Sequence, residues 1–244
     1  MLANSIKTEW KKLKHSHLWL VFVAIPMIPA LIGTANYLNN IEILKSEWYS
    51  LWTQHSLFYA NFFYGPLIAL YCSYTWRVEH LNHNWNRLMA MPVSEEAIFG
   101  SKLVLAFGCT VFLQLWVWIL FILGGKATGL PGIPPVQILF WLLRGSLGGM
   151  VTAALQMVLS MIIRSFAVPI AVALLGSVMG FLLSNGGYGL LWPYSLMLEG
   201  MNANKTEDMI ENMFGFGVSA VFFLVLFLGA GIWYLKHEDV RAAA

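Results

Sequence analysis

Six stretches of roughly twenty predominantly apolar residues run through this chain, and they constrain its fold more than any motif does. They fall at about 18–37, 57–76, 103–123, within 136–163, at 167–183 and at 216–235. Each approaches or exceeds the roughly 17–25 residues that a helix needs to cross hydrocarbon. Inside lipid every backbone N–H and C=O must be satisfied within the segment, which leaves helix as the form for such runs. Charged residues make up 11% of the 244, where a soluble domain carries about 25%. The pattern predicts an all-α membrane protein with six transmembrane helices and one domain over 1–244, without a separate soluble part. Cys72 and Cys109 fall inside apolar runs and read as small buried hydrophobes, not as a disulfide or a metal site.

The first apolar run follows Lys7, Lys11, Lys12 and Lys14. It is longer than the 7–15 residues of a signal-peptide core and lacks a small-residue cleavage site, so it reads as a retained anchor. Within 1–16, Leu2, Ile6, Trp10 and Leu13 recur at helical spacing. That predicts an amphipathic helix lying on the membrane face, drawn there by apolar burial and anionic lipid; the plainer alternative is a basic anchor with no defined helix. With the N-terminus inside, Lys7, Lys11, Lys12, Lys14, Arg77, Arg87, Lys102, Arg164, Lys236 and Arg241 all fall on the inner side. Outer loops keep Lys45, Lys126 and Lys205, with Arg144 ambiguous. This bias places both termini in the cytoplasm.

The segment 77–102 is then an inner loop, and it is unusually polar. Val78, Leu81, Trp85 and Leu88 step by three, four and three, which predicts a short helix with one apolar face. Pro92 ends it, since a residue before proline is pushed out of helical conformation. Ser94 suits an N-cap, and Glu95 and Glu96 in the next turn suit the helix dipole. Helix, break and helix at a membrane surface can be an ordinary connector or a docking surface for another protein.

Glu79-His80, Asn84-Trp85, Leu88, Pro92-Val93-Ser94 and Lys102 together resemble the cytoplasmic loop of ABC-2 type transporter permeases. The likeness is to the permeases of lantibiotic self-protection (immunity) and bacitracin resistance. It extends to the six-span layout, the amphipathic N-terminal helix and the long loop 184–215. It implies an ABC-2 (type V exporter-like) permease fold in which 77–102 carries the coupling helix that sits on an ATPase subunit. Carried over by position, Glu79, Trp85, Leu88 and Pro92 are the contact and shape residues. Glu95 and Glu96 stand where the family pattern has a basic residue. The resemblance further implies a bacterial cytoplasmic-membrane location, a separate ATPase that binds ATP and Mg, and a second permease, a heterodimer being favoured over a homodimer. It also implies export of an amphipathic peptide. No cofactor is expected in this chain, and nothing in it calls for nucleic acid.

Other candidate chemistry is sparse. Gly124-Gly125-Lys126-Ala127 has Leu120 and Ala127 where a phosphate-cradling loop needs Gly and Ser or Thr, so this chain has no ATP-binding motif. His80 and His83 have zinc-compatible spacing without further ligands. Arg144 lies about eight residues into the fourth run, either as a functional intramembrane charge or snorkelling to the interface. Gly145, Gly149 and Ala153, and Gly176, Gly180 and Ser184, repeat every four residues. Such rows let helices approach closely, within a subunit or between subunits. In the outer loop, 190–198 reads as an interfacial or re-entrant helix, with Trp192 and Tyr194 in the headgroup belt. Glu207, Asp208 and Glu211 there either attract a cationic peptide or merely reflect the exclusion of Lys and Arg. A membrane scaffold or sensor that binds a signalling partner is the alternative to transport. An intramembrane enzyme is disfavoured because the other five runs hold no Asp, Glu, Lys or Arg.

Overall fold

The computed structural model describes residues 2–81, 84–208 and 212–237. All the regular structure among them is helical: α1 (Leu2–Lys14), α2 (Leu18–Ala24), α3 (Met27–Asn39), α4 (Glu47–Phe58), a π-helical segment (Tyr59–Tyr64), α5 (Gly65–His80), α6 (Asn84–Met89), α7 (Glu95–Ala127), α8 (Val136–Ile162), α9 (Ala167–Asn185), a 3₁₀ turn (Gly189–Leu191), α10 (Ser195–Gly200) and α11 (Met213–His237).

Five of these helical stretches are long and apolar enough to cross a membrane: Leu18–Asn39, Glu95–Ala127, Val136–Ile162, Ala167–Asn185 and Met213–His237. They make the chain a multi-pass membrane protein. The first is interrupted by a turn at Ile25 and Pro26, where proline lacks the N–H that a continuous helix requires. The stretch at 57–76 behaves differently. It lies in helix that runs unbroken from Glu47 through α4, the π segment and α5 to His80. Ser50, Thr53, Gln54, His55, Ser56, Asn61, Ser73 and Thr75 are buried along it. Its polar side chains face protein, so composition alone does not mark it as a span.

α8 forms the centre, packed on α5, α7, α10 and α11. Its contact with α10 is a backbone-to-backbone approach. A Cβ at Gly148 would lie 2.3 Å from the Leu196 carbonyl oxygen, so only glycine lets α10 sit there. α10 is fully inserted, with Leu196 and Met197 at 0% exposure.

Two expectations change here. The predicted helix across 78–88 is split: Leu81 is extended (φ −84°, ψ 151°), ending α5 before α6 begins. Tyr194, expected at the headgroup belt, is turned into the bundle. Trp192 Nε1 donates to the Gly176 carbonyl at 2.9 Å, and the Tyr194 hydroxyl, on a 3%-exposed side chain, accepts from Gln156 Nε2 at 2.7 Å. Both rings anchor the 190–198 segment inward, where their polar atoms find helix partners.

Candidate functional site

The polar loop begins and ends on one buried charge cluster. Thr75 and Glu79 share a face in the last turns of α5. Glu9 and Lys12 lie three apart on α1, and Lys102 lies two turns into α7. Lys102 Nζ sits 3.0 Å from Glu9 Oε2 and 2.9 Å from Glu79 Oε1. Lys12 Nζ bridges the same carboxylates, 2.7 Å from Glu9 Oε1 and 2.5 Å from Glu79 Oε1. Thr75 Oγ1 donates to Glu9 Oε2 at 3.1 Å, and the Trp76 ring lies 5.1 Å from the Lys102 ammonium. Lys102 is 0% exposed, Glu79 4% and Glu9 6%.

Two cations and two anions cancel, which is what allows charges to be buried at all. Burial alone would raise the Glu9 carboxyl, but Lys102 and Lys12 outweigh it and hold it below its usual 4.5. Burial likewise works against the Lys12 ammonium, yet Glu9 and Glu79 hold it above its usual 10.5. Glu9 and Lys12 therefore both stay ionised across the neutral range. The cluster joins three elements, the N-terminal helix and the two helices that bracket the loop.

The expected contact residues divide into two groups. Glu79 and Trp85 face inward, Trp85 at 4% exposure. Its ring centroid lies 5.5 Å from both Trp76 and His80, almost parallel to the imidazole (2°). Among the described residues no three His, Cys, Asp or Glu gather as a metal site; His83 lies outside those residues. Leu88 is half-buried and Pro92 exposed. The outward surface is made instead by Asn86, Arg87, Met89, Met91 and Pro92. Of the four expected contact and shape residues, Glu79 and Trp85 are buried, Leu88 is half-buried and Pro92 alone is exposed.

Ser94 caps α7, accepting from the Ala97 N–H at 3.3 Å. Glu96 pairs with Lys236 at the end of α11, so its charge is used within the chain. Between the polar side of α1 and the loop lies a groove of about 540 Å³, lined by Thr8, Lys12, Glu79, Arg87, Leu88 and Val93 among others.

At the opposite end of the bundle Arg144 is neither a lone intramembrane charge nor a free snorkelling one. Its Nε donates to the Gly200 carbonyl at 2.9 Å, and its two terminal nitrogens each reach Asp208 at 3.1 Å. Trp141 Nε1 adds a third donor to Asp208 at 3.0 Å. Asp208 is thereby committed to the chain's own cation. Glu207 is exposed, and Glu211 lies outside the described residues.

The small-residue rows pack within the chain. A Cβ at Gly145 would strike Met201, at Gly149 the Tyr64 hydroxyl, at Gly176 the Tyr194 ring and at Gly180 the Ser195 backbone. Ala153 is buried, and its carbonyl accepts from the Cys72 thiol at 3.7 Å. Cys72 and Cys109 are both free and buried.

Residues 5–180, the greater part of the chain, match the family described as ABC-2 family transporter protein. The chain belongs to that family. Comparison with curated proteins and with solved structures gives no match. As an ABC-2 family member the chain is a membrane permease subunit of an ABC transporter. Such subunits are typically non-enzymatic, and the family implies partnership with an ABC ATPase. The matched region runs from α1 into α9 and contains Glu9, Lys12, Glu79 and Lys102.

Sequence reasoning singled out only Glu79 of these four for a role. Lys102 enters the sequence reading through the loop motif and the orientation count, Lys12 through the orientation count alone, and Glu9 not at all. The available signal was a glutamate in an otherwise basic helix, together with a lysine at the mouth of an apolar run.

Proposed function

We propose that this chain is the permease subunit of an ATP-driven bacterial exporter that expels an amphipathic, lantibiotic-like antimicrobial peptide from the cytoplasmic membrane and so protects the cell. In this reading the helix Glu47–His80 supplies a sixth crossing. The Lys and Arg bias puts both termini and the loop in the cytoplasm. A separate ATPase, carrying the ATP and Mg, docks on the exposed rim formed by Arg87, Met89, Met91 and Pro92. A second, non-identical permease completes the pore. The antimicrobial cargo and the heterodimer rest on the resemblance in the 79–102 motif. Glu207 is an exposed acid available to a cationic peptide at the outer face.

The observation that carries the coupling part is the buried charge cluster. It ties Glu79, before the loop, to Lys102, after it, and ties both to α1. A push on the loop is therefore transmitted to α1, α5 and α7 together rather than absorbed by a flexible connector. Glu79 and Trp85 act in this scheme by holding the loop's shape.

The test is co-expression with a candidate ABC ATPase. Arg87→Glu with Met91→Asp weakens co-purification about tenfold, as expected for loss of an interface anchor, while membrane insertion is unchanged. Glu79→Gln leaves the ATPase bound and lowers peptide resistance per ATP hydrolysed. Full ATPase binding by the Arg87/Met91 double variant would show that the docking surface lies elsewhere.

A further inference from the structure

Gln114 lies near the middle of α7, a helix of 33 residues and thus about 50 Å long. It is 2% exposed, and neither its amide oxygen nor its amide nitrogen has a hydrogen-bond partner. Beside it stands the π segment. Tyr59 and Tyr64, at 1% and 0% exposure, stack with centroids 5.1 Å apart, and both hydroxyls are without partners. The Tyr64 hydroxyl is turned toward Thr110 and Gln114 without reaching hydrogen-bond geometry with either. Thr110 donates to its own helix, to the Phe107 carbonyl at 2.7 Å, which leaves its oxygen free to accept.

α8 supplies the opposite wall. A Cβ at Gly149 would lie 2.3 Å from the Tyr64 hydroxyl, and one at Gly145 would lie 2.9 Å from the Gln114 nitrogen. Both glycines therefore make room for polar atoms of the other two elements. The rows that sequence spacing assigned to helix approach have this second use.

Four orphaned polar atoms gathered in a bundle interior are costly, each by the desolvation of an unmade hydrogen bond. Their chemistry says what would satisfy them. The two hydroxyls both donate and accept, the amide does each with a separate atom, and no ionised group belongs to the set. A carboxylate or phosphate would lack a cation here, and a divalent metal would lack anionic oxygens. A ligand that donates and accepts in equal measure, is neutral and is small fits the set. We propose that Tyr59, Tyr64 and Gln114, with Thr110 as a further acceptor and Gly145 and Gly149 as the wall, form a site for bound water in the middle of the bundle. π segments recur at functional positions within helices, and this one carries two of the site's three unpartnered residues. The inference is independent of the cargo and of the ATPase docking surface.

The experiment is radiolytic hydroxyl labelling of the whole chain in phosphatidylcholine nanodiscs, in ¹⁸O water, read by mass spectrometry. Bound water yields radicals in place, so Tyr59 and Tyr64 take label at least about fivefold above the equally buried Phe99 and Phe121, which have no polar atoms to hold water. Gln114→Leu lowers the Tyr64 label by a similar factor. Should that variant fail to fold, Tyr64→Phe keeps the ring and lowers the label on Tyr59. Labelling no higher than at the two phenylalanines overturns the site. Labelling that persists unchanged in the variant also overturns it, because Gln114 would then not hold the water. A thermal midpoint that follows sodium against choline concentration overturns water in favour of a monovalent cation.

Discussion

Two groups of charges hold distant parts of this chain together, at opposite ends of the bundle. Glu9, Lys12, Glu79 and Lys102 form a closed set in which Lys102 and Glu79 have side chains 1% and 5% exposed. Arg144 and Asp208 form a forked pair whose side chains are 11% and 33% exposed. Both carry short N···O contacts, and a tally of salt bridges would rank them alike. Their surroundings separate them. In the buried set the removal of one member strands the others without water, a penalty of about 3–5 kcal/mol for a buried pair. At the far end solvent can replace either partner, so the pair orders a loop without being indispensable.

The difference can be broken or sharpened by substitution. Lys102→Met leaves two carboxylates facing Lys12 alone, and we expect the thermal midpoint in detergent to fall by roughly 10 °C. Adding Glu9→Gln and Glu79→Gln to Lys102→Met should recover about half of that loss, because only the part-exposed Lys12 charge then remains. No recovery in the triple variant would show that the cluster acts through shape rather than charge. Asp208→Asn at the far end should cost only about 1 kcal/mol, or roughly 2–4 °C, discounted for its exposure. pH should test the buried set from both sides. Glu9 has a folded value below its usual 4.5, so its contribution is complete above that value and is lost as pH falls through the lowered one. α1 should therefore stay docked from neutral pH down to below about 4.5, as followed by exchange of its amide hydrogens. Lys12, raised above 10.5, gives the mirror limit, its contribution being lost as pH climbs through the raised value. Smallest of all, Glu96→Gln should leave the midpoint unchanged, since Glu96 and Lys236 are both close to half-exposed.

What the sequence made legible follows from range. Apolar length predicted five of the spans, and the observed starts at Leu18, Val136 and Ala167 agree within a residue with the runs that announced them. Ser94 as a cap is a local matter, settled by its distance from Ala97, and it could be read directly. The charge cluster could not. Glu9 and Lys12 look like an ordinary surface pair three residues apart, and only the docking of α1 beside α7 turns them inward. Tyr194 was misplaced for the same reason: its polar tip suits a headgroup belt until Gln156 is seen to receive it. Gly148 went unnoticed because it falls out of phase with the four-residue row, yet it is where α10 touches α8 backbone to backbone.

The position of Glu9 has a consequence for the order of synthesis. Its partner Lys102 is translated about ninety residues later, several seconds at ordinary elongation rates. Through that interval the first helix holds a carboxylate whose neutralising lysine on α7 does not yet exist, while the anchor behind it is already apolar enough to enter the bilayer. α1 can settle against α7 only after the third apolar run has begun to emerge, so its docking waits on chain made well after it.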